Sequence, residues 1–255
     1  MLDYSLIASY FPPELRAFKR NILREYLQYK TLEAIYNSKY GNKFVFIGGT
    51  CLHIVYGNNR FSEDLDFDVF DLSMEEFESV KLILNKAFKL EGLNVEIDHN
   101  YDNIFHLKLK FTDILQNYGI TKHKEEKLTL KIDSEVQSYK YTKNFYLLNR
   151  FDVFTNIIVA PAPLLLARKI ITLLERVRPM GRDFYDIMFL LGMTEPDMDY
   201  IESKTGIKDK RILIEKLIQH CNFFDFDKLA NDVKPFLYKP EDSLKVKYFL
   251  DYLKQ

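Results

Sequence analysis

The residues best suited to chemistry lie between Phe44 and Phe70, in FVFIGGTCLHIVYGNNRFSEDLDFDVF. A short apolar run ends in Gly48 and Gly49, where the backbone can come close to a ligand. Thr50 then opens a helix whose free N–H groups favour an anion. Further on come Asp64, Asp66 and Asp68. Residues two apart in a strand share a face, so these carboxylates project together while Leu65 and Phe67 enter the core. Adjacent carboxylates repel unless a positive charge lies between them. A hard divalent ion that takes carboxylate and phosphate oxygens is the usual solution, and Mg²⁺ fits that description. Parity leaves open whether the working pair is Asp64/Asp66 or Asp66/Asp68. The bland alternative is a solvated acidic edge strand.

Two-metal phosphoryl transfer calls for a further carboxylate. Asp133 in LTLKIDSEV is the best candidate. Leu128, Leu130 and Ile132 face inward there, and Thr129, Lys131, Asp133 and Glu135 share the other face. A second cluster spans residues 167–191, ARKIITLLERVRPMGRDFYDIMFLL. Lys169 and Arg176 lie on a helix, with Arg178 just beyond it. Arg182 and Asp186 are spaced i,i+4 and can pair, and Asp183 and Asp186 share a face. Two readings stand side by side. In one, Arg182, Asp183 and Asp186 form a buried ion network that holds two domains together. In the other, Lys169 reaches a nucleotide phosphate or assists proton transfer. Tyr185 reads as packing. The five histidines show no metal-ligand spacing, and Cys51 reads as a small buried filler.

These residues need elements to position them. Leu15, Phe18, Ile22 and Tyr26 recur at helical spacing, and Leu32, Ile35 and Tyr36 continue the pattern. Strands are predicted over Phe44–Ile47, Leu65–Phe70, Val95–Ile97, Ile104–Phe111, Leu128–Val136 and Phe151–Val159. Helices are predicted over Thr50–Tyr56 and Ser73–Leu90, the latter burying Met74, Phe77, Val80, Leu84 and Phe88. Beyond Pro161 and Pro163 only helices are expected: Leu164–Arg176, Arg182–Leu191, Arg211–His220 and Ser243–Leu253. The order is α/β first and all-α second, with residues 1–160 as one domain and 161–255 as the other.

GGTCLHIVYG followed by RFSEDLDFD resembles the AbiEii/AbiGii-type nucleotidyltransferases. These are toxins of bacterial type IV toxin–antitoxin and abortive-infection (phage-defence) systems, within the DNA polymerase β-like superfamily. The resemblance covers about residues 44–191. It implies an α+β fold, a mixed sheet flanked by helices and followed by a helical domain. It selects Asp64 and Asp66 as the acid pair and leaves Asp68 accessory. It matches Asp133 to an acid on a later strand, and Lys169 to a lysine ahead of an RDxYD motif formed by Arg182, Asp183, Tyr185 and Asp186. Val177–Gly181 is an unusual spacing and leaves the roles of Arg176 and Arg178 open. The implied metal set is Asp64, Asp66 and Asp133 with Mg²⁺ or Mn²⁺. The implied catalytic set adds Lys169. Gly48, Gly49, Thr50, Ser62, Lys169, Arg182 and Asp183 would bind the nucleotide of an NTP substrate. RNA, such as a tRNA 3′ end, is the implied acceptor. A neighbouring antitoxin is the implied partner, with no need for direct contact.

Composition fits this picture. The chain has 255 residues, with 36 Lys and Arg against 37 Asp and Glu, for a formal charge of −1. A polycation and an acidic tail are both excluded. The neutral total hides a segregation: Lys108–Arg150 holds nine basic against five acidic residues. Its Lys122, Lys124, Lys127 and Lys131, with Tyr139 and Tyr141 nearby, suit a phosphate backbone and a stacked base, although a solvated loop has the same composition. Cys51 and Cys221 are too far apart in sequence for a CxxC site or a disulfide framework. No segment has the length and apolarity of a bilayer span, and the first residues lack a secretory pattern. A cytoplasmic protein is expected. Other chemistries on the same fold are protein nucleotidylation (AMPylation) and kinase-like γ-phosphate transfer. A non-catalytic nucleotide- or partner-binding module would have no need for three acids.

Overall fold

The computed structural model describes residues 1–100 and 105–255. Contacts divide the chain into two compact units, one of Met1–Val55 with Phe61–Val159, the other of Tyr56–Arg60 with Ala160–Gln255. The first unit holds helices α1 (Tyr4–Ser9), α2 (Lys19–Tyr36), α3 (Gly48–Ile54), α4 (Met74–Leu90) and α5 (Ile114–Asn117). Its strands are β1 (Phe44–Ile47), β2 (Leu65–Val69), β3 (Val95–Asn100), β4 (Phe105–Phe111), β5 (Leu128–Val136), β6 (Asn144–Arg150) and β7 (Val153–Val159). The expected start of the fourth strand, Ile104, lies outside the described residues.

The strands form one mixed sheet in the order β3-β4-β5-β2-β1-β7-β6. β2 runs parallel to β5, and β1 parallel to β7; the remaining neighbours are antiparallel. One face is packed. Leu65, Phe67, Leu107, Leu109, Leu130, Ile132 and Ile157 are buried along it. α4 lies on that face through Phe77 against Phe105 and Phe88 against Phe111. The cause is its apolar stripe of Phe77, Val80, Leu84 and Phe88 at helical spacing. A capping box of Ser73 and Glu76 fixes where the helix begins. α2 buries Ile22, Leu23, Tyr26, Leu27, Leu32 and Ile35, and its Tyr36 hydroxyl donates to the Ile158 carbonyl of β7 at 2.8 Å. The opposite face carries the polar residues of β2, β4 and β5.

The second unit is helical: α6 (Ala162–Glu175), α7 (Gly181–Leu191), α8 (Met198–Thr205), α9 (Lys210–Cys221), α10 (Phe226–Val233), α11 (Leu244–Lys247) and α12 (Phe249–Leu253). Phe184 of α7 sits at its centre, edge-on to Phe224, Phe226 and Phe249. Gly181 starts α7 against the Leu229 carbonyl of α10, where a Cβ would collide. No helix among the described residues is long and apolar enough to cross a membrane.

Four elements among the described residues illustrate departures from the sequence pattern. β6 has no expected counterpart, because its apolar residues fall on both faces: Leu148 is buried while Phe145 and Leu147 are exposed. β7 starts at Val153 and not at Phe151. Phe151 takes a left-handed φ of 59° in the β6–β7 turn, with its ring held among Tyr10, Phe11, Tyr26 and Tyr29. α8 and α10 are eight residues each, too short for a clear period. Asp197 and Asp225 cap them by accepting from Tyr200 N and Lys228 N.

Phe67 is almost fully buried, with the rings of Phe44 and Phe46 each 5.5 Å away. Phe67→Ala is expected to cost about 3–5 kcal/mol, read as a lower urea midpoint.

Candidate active site

The strand register assembles the site. Ile47 of β1 pairs with Asp66 of β2, Asp66 with Asp133 of β5, Asp133 with His106 of β4, and His106 with Asn100 of β3. Cross-strand partners share a face, so one row crosses five strands with Asp66 and Asp133 side by side at its centre. Strand neighbours are about 4.8 Å apart. Asp66 and Asp133 are both half-buried. His106 closes the far side of Asp133, its Nδ1–H donating to Oδ1 at 2.6 Å.

The approach to this row is fixed from several sides. Gly48 ends β1 with a φ of +77°, and a Cβ there would collide with the Asp66 carboxylate. Only glycine meets both demands cheaply. Gly49 and Thr50 are buried, and the Thr50 hydroxyl donates to the Asp64 carbonyl at 2.5 Å. Thr50 therefore locks the backbone that presents the first acid. Gln28 of α2, buried, donates from Nε2 to the carbonyls of Ser62 (3.0 Å) and Glu63 (3.1 Å). Arg24 pairs with Glu63 at 2.7 Å. Gln28 and Arg24 were not legible as site residues, since in sequence they are two polar positions in a helix. Asp68 shares the acid face but is fully buried, and the Tyr141 hydroxyl donates to its Oδ2 at 2.6 Å. That bond ties the segment after β5 to β2. Of the basic segment, Lys127 pairs with Glu96, and Glu126 with Arg20. Cys51 is buried, and its thiol is pushed well above its ordinary value by burial and by the Asp66 charge, which leaves it a poor nucleophile.

The second unit contains its own charge cluster. Asp186 is fully buried. It accepts from Asn58 Nδ2 (2.9 Å), from Arg60 Nε (2.6 Å) and Nη2 (2.7 Å), and from Lys169 Nζ (2.8 Å). The i,i+4 pair of Arg182 with Asp186 is not made. Arg60 takes that place, and its signal in the sequence was only its position at the head of RFSEDLDFD. Asp183 accepts from Arg176 Nη1 (2.5 Å) and from the Met180 N–H (2.9 Å), which caps α7 and gives Arg176 a structural partner. Arg182 is half-buried. Lys169 keeps about a fifth of its side chain exposed.

Among the described residues, no three His, Cys, Asp or Glu side chains close into a ready-made metal cage. Magnesium is commonly held through one or two carboxylates, with substrate phosphates and water filling the rest. The hard oxygen donors of Asp66 and Asp133, adjacent in one row with Asp64 just ahead of β2, fit that mode.

Two outcomes follow. Gly48→Ala is expected to cost only about 1–2 kcal/mol of stability but on the order of a hundredfold in turnover, because it displaces Asp66. Melting curves and kcat for nucleotide incorporation read the two effects separately. For Asp186, burial alone would raise the pKa, but Arg60 and Lys169 overcome it and hold the carboxyl at about 2. A depressed folded pKa gives stability that is fully present above the unfolded value near 3.9 and lost as pH falls through the folded one. Asp186→Asn is expected to cost about 3–5 kcal/mol at neutral pH by leaving two cations uncompensated. Urea titrations from pH 4 down to pH 2 are expected to converge for the two proteins.

Comparison with known proteins bears on the fold and the family. MenT4, a nucleotidyltransferase toxin of Mycobacterium tuberculosis H37Rv, aligns over 100% of this chain and 90% of its own, with a TM-score of 0.58 at 16% identity. JHP933 of Helicobacter pylori aligns over 91% of both chains, with a TM-score of 0.54 at 20% identity. At such identities these likenesses speak for the fold. None of the curated proteins matches the chain. The family model described as "Nucleotidyl transferase AbiEii toxin, Type IV TA system" matches residues 30–237. A match of that extent, over the turn, the acid row and the Lys169–Asp186 cluster, makes this chain a member of the AbiEii nucleotidyltransferase toxin family, an enzyme with an NTP substrate and an antitoxin partner.

Proposed function

We propose that the protein transfers a nucleotide from an NTP to the 3′ end of an RNA, with tRNA the first acceptor to test, and that it does so with Mg²⁺ or Mn²⁺ bound at Asp64, Asp66 and Asp133. The observation that carries this reading is the pairing of Asp66 with Asp133 in one cross-strand row beside Gly48. Two adjacent carboxylates with an open face suit a hard cation and a phosphate better than they suit each other. The metal, when bound, supplies neutralisation of the phosphate charge.

The residues of the chain do the rest. The Gly48–Gly49 backbone leaves room for the triphosphate beside Asp66, and Ser62 adds a hydroxyl at the approach to Asp64. Asp133 orients the acceptor hydroxyl and takes its proton. The acceptor oxygen bonds to the α-phosphorus, the bond from that phosphorus to the α–β bridging oxygen breaks, and pyrophosphate leaves. Positioning and charge stabilisation carry most of such catalysis. Lys169 supplies a cation for phosphate, with Asp186 holding it in place; Arg182 and Asp183 belong to the same helical cluster. Asp68 takes no part in metal binding in this reading, because it is buried under Tyr141. The protein works in the cytoplasm as a type IV or abortive-infection toxin in phage defence, and its antitoxin need not touch it.

Labelling separates the alternatives. Wild-type protein with total RNA and each α-³²P-NTP is expected to label RNA. Asp64→Ala and Asp66→Ala are each expected to lose about 3 kcal/mol or more of transition-state stabilisation, roughly a hundredfold or more in rate. Equal labelling by the variants would sink the site assignment. Label in protein would point to AMPylation, and transfer from γ-³²P alone to a kinase.

A further inference from the structure

The acid row divides the open face of the sheet, and its far side has a feature that the acids do not explain. Lys108 of β4 and Lys131 of β5 are direct cross-strand partners. Like charges placed directly opposite one another destabilise a sheet. Both side chains are exposed, and neither makes an ion pair or hydrogen bond among the described residues. Their neighbours do: Lys110 closes on Asp98, and Lys127 on Glu96. Lys108 lies within Coulombic reach of Asp98, whose carboxylate Lys110 already occupies. The pair stands two residues from Asp133 and His106 along the same strands, about 7 Å away. A cleft of about 400 Å³ joins Asp98, Asn100, His106, Lys108, Lys131 and Asp133. Gly48 follows β1, two strands from β5, since the strand order runs β4-β5-β2-β1; along the strands the lysine pair is level with Asp64.

We propose that Lys108 and Lys131 bind a backbone phosphate of the acceptor strand, next to the terminal nucleotide whose hydroxyl meets Asp133. The proposal rests on the RNA-acceptor reading above and adds the place where that strand lies. An anion between the two lysines relieves their repulsion. The His106–Asp133 bond keeps the acid turned toward the row. The lysines stand on β4 and β5 and the glycine turn follows β1, with β2 between β1 and β5, so the acceptor phosphate and the triphosphate have separate cradles. Tyr141, engaged on Asp68, is not needed for stacking in this arrangement.

The test uses the full chain as wild type, as the Lys108→Ala/Lys131→Ala double variant, as the Lys108→Arg/Lys131→Arg variant, and as Lys127→Ala for a lysine already paired with Glu96. Fluorescence anisotropy with a labelled single-stranded oligoribonucleotide reads binding directly. The alanine double variant is expected to bind at least tenfold more weakly. Its slope of log affinity against log salt should flatten by about 0.7 for one lost phosphate contact. The arginine variant and Lys127→Ala should stay within about threefold of wild type. The alanine double variant should not melt lower, because it removes a repulsion. In the labelling assay its KM for RNA should rise while its KM for NTP holds. Unchanged RNA binding and salt slope in the alanine variant would overturn the proposal. A raised KM for NTP with RNA binding intact would overturn it as well, and would assign the lysines to the triphosphate. A wild type that labels protein and not RNA would instead remove the parent reading, whatever the anisotropy shows.

Discussion

Asp66 and Asp133 are neighbours on parallel strands, and two unit charges about 4.8 Å apart repel by about 3 kcal/mol at an effective dielectric of 20. The sheet must oppose that repulsion before any ligand arrives. It does so from its other face. Leu65, Phe67 and Ile132 flank the two acids in sequence and are buried there, each contributing about 1.5–3 kcal/mol by leaving water. Alternation along β2 and β5 thus does two jobs: the residues that hold the strands together are the ones that force the acids onto the opposite side. His106 takes up one side of Asp133. Asp66 flanks its other side, so the two carboxylates present hard oxygen donors next to each other.

A related constraint organises the helical unit, with the signs exchanged. One buried carboxylate, Asp186, serves both Arg60 and Lys169. Burial penalises every charge in the cluster, and the attraction among them outweighs it, as the depressed carboxyl of Asp186 records. Arg60 also feels Asp183, and it is buried. Lys169 is the member that reaches the surface. The cluster's one partly exposed cation is therefore Lys169, held by Asp186. The ion network is structural at Arg60 and Asp186, and the same network holds Lys169 in an extended, oriented state.

How much of this was legible in the sequence depended on range. The acid strand, the glycine turn, Asp133 on its strand and the stripe of α4 are all carried by local periodicity, and they stand in the structure where the pattern puts them, except that Met74, at the first position of α4, is exposed. Parity left Asp68 ambiguous. Its burial under Tyr141 comes from a residue 73 positions away, and no local pattern contains such a contact. The same holds for Gln28 on the Ser62 and Glu63 carbonyls, and for Arg60 on Asp186. β6 escaped because both of its faces carry apolar residues. The pairing of Arg182 with Asp186 was reasonable on helical geometry alone, but a buried carboxylate gains more from a buried guanidinium with two donors than from a half-exposed neighbour.

Register also converts a nearly neutral composition into a directional surface. A net charge of −1 says nothing about binding, because binding depends on where the charges lie. Along the row the order is Ile47 before the glycine turn, Asp66, Asp133 and His106, and the lysines of β4 and β5 form the next row, level with Asp64. The acids are concentrated where a cation can neutralise them beside the phosphates of a nucleotide. Lys108 and Lys131, without an ion pair among the described residues, stand beside them on β4 and β5. A sheet of uniform sign would draw two polyanionic substrates to one place. Here acids and lysines alternate on neighbouring strands, which in the proposed reaction gives the cation-bound nucleotide and the acceptor phosphate each a place of opposite charge.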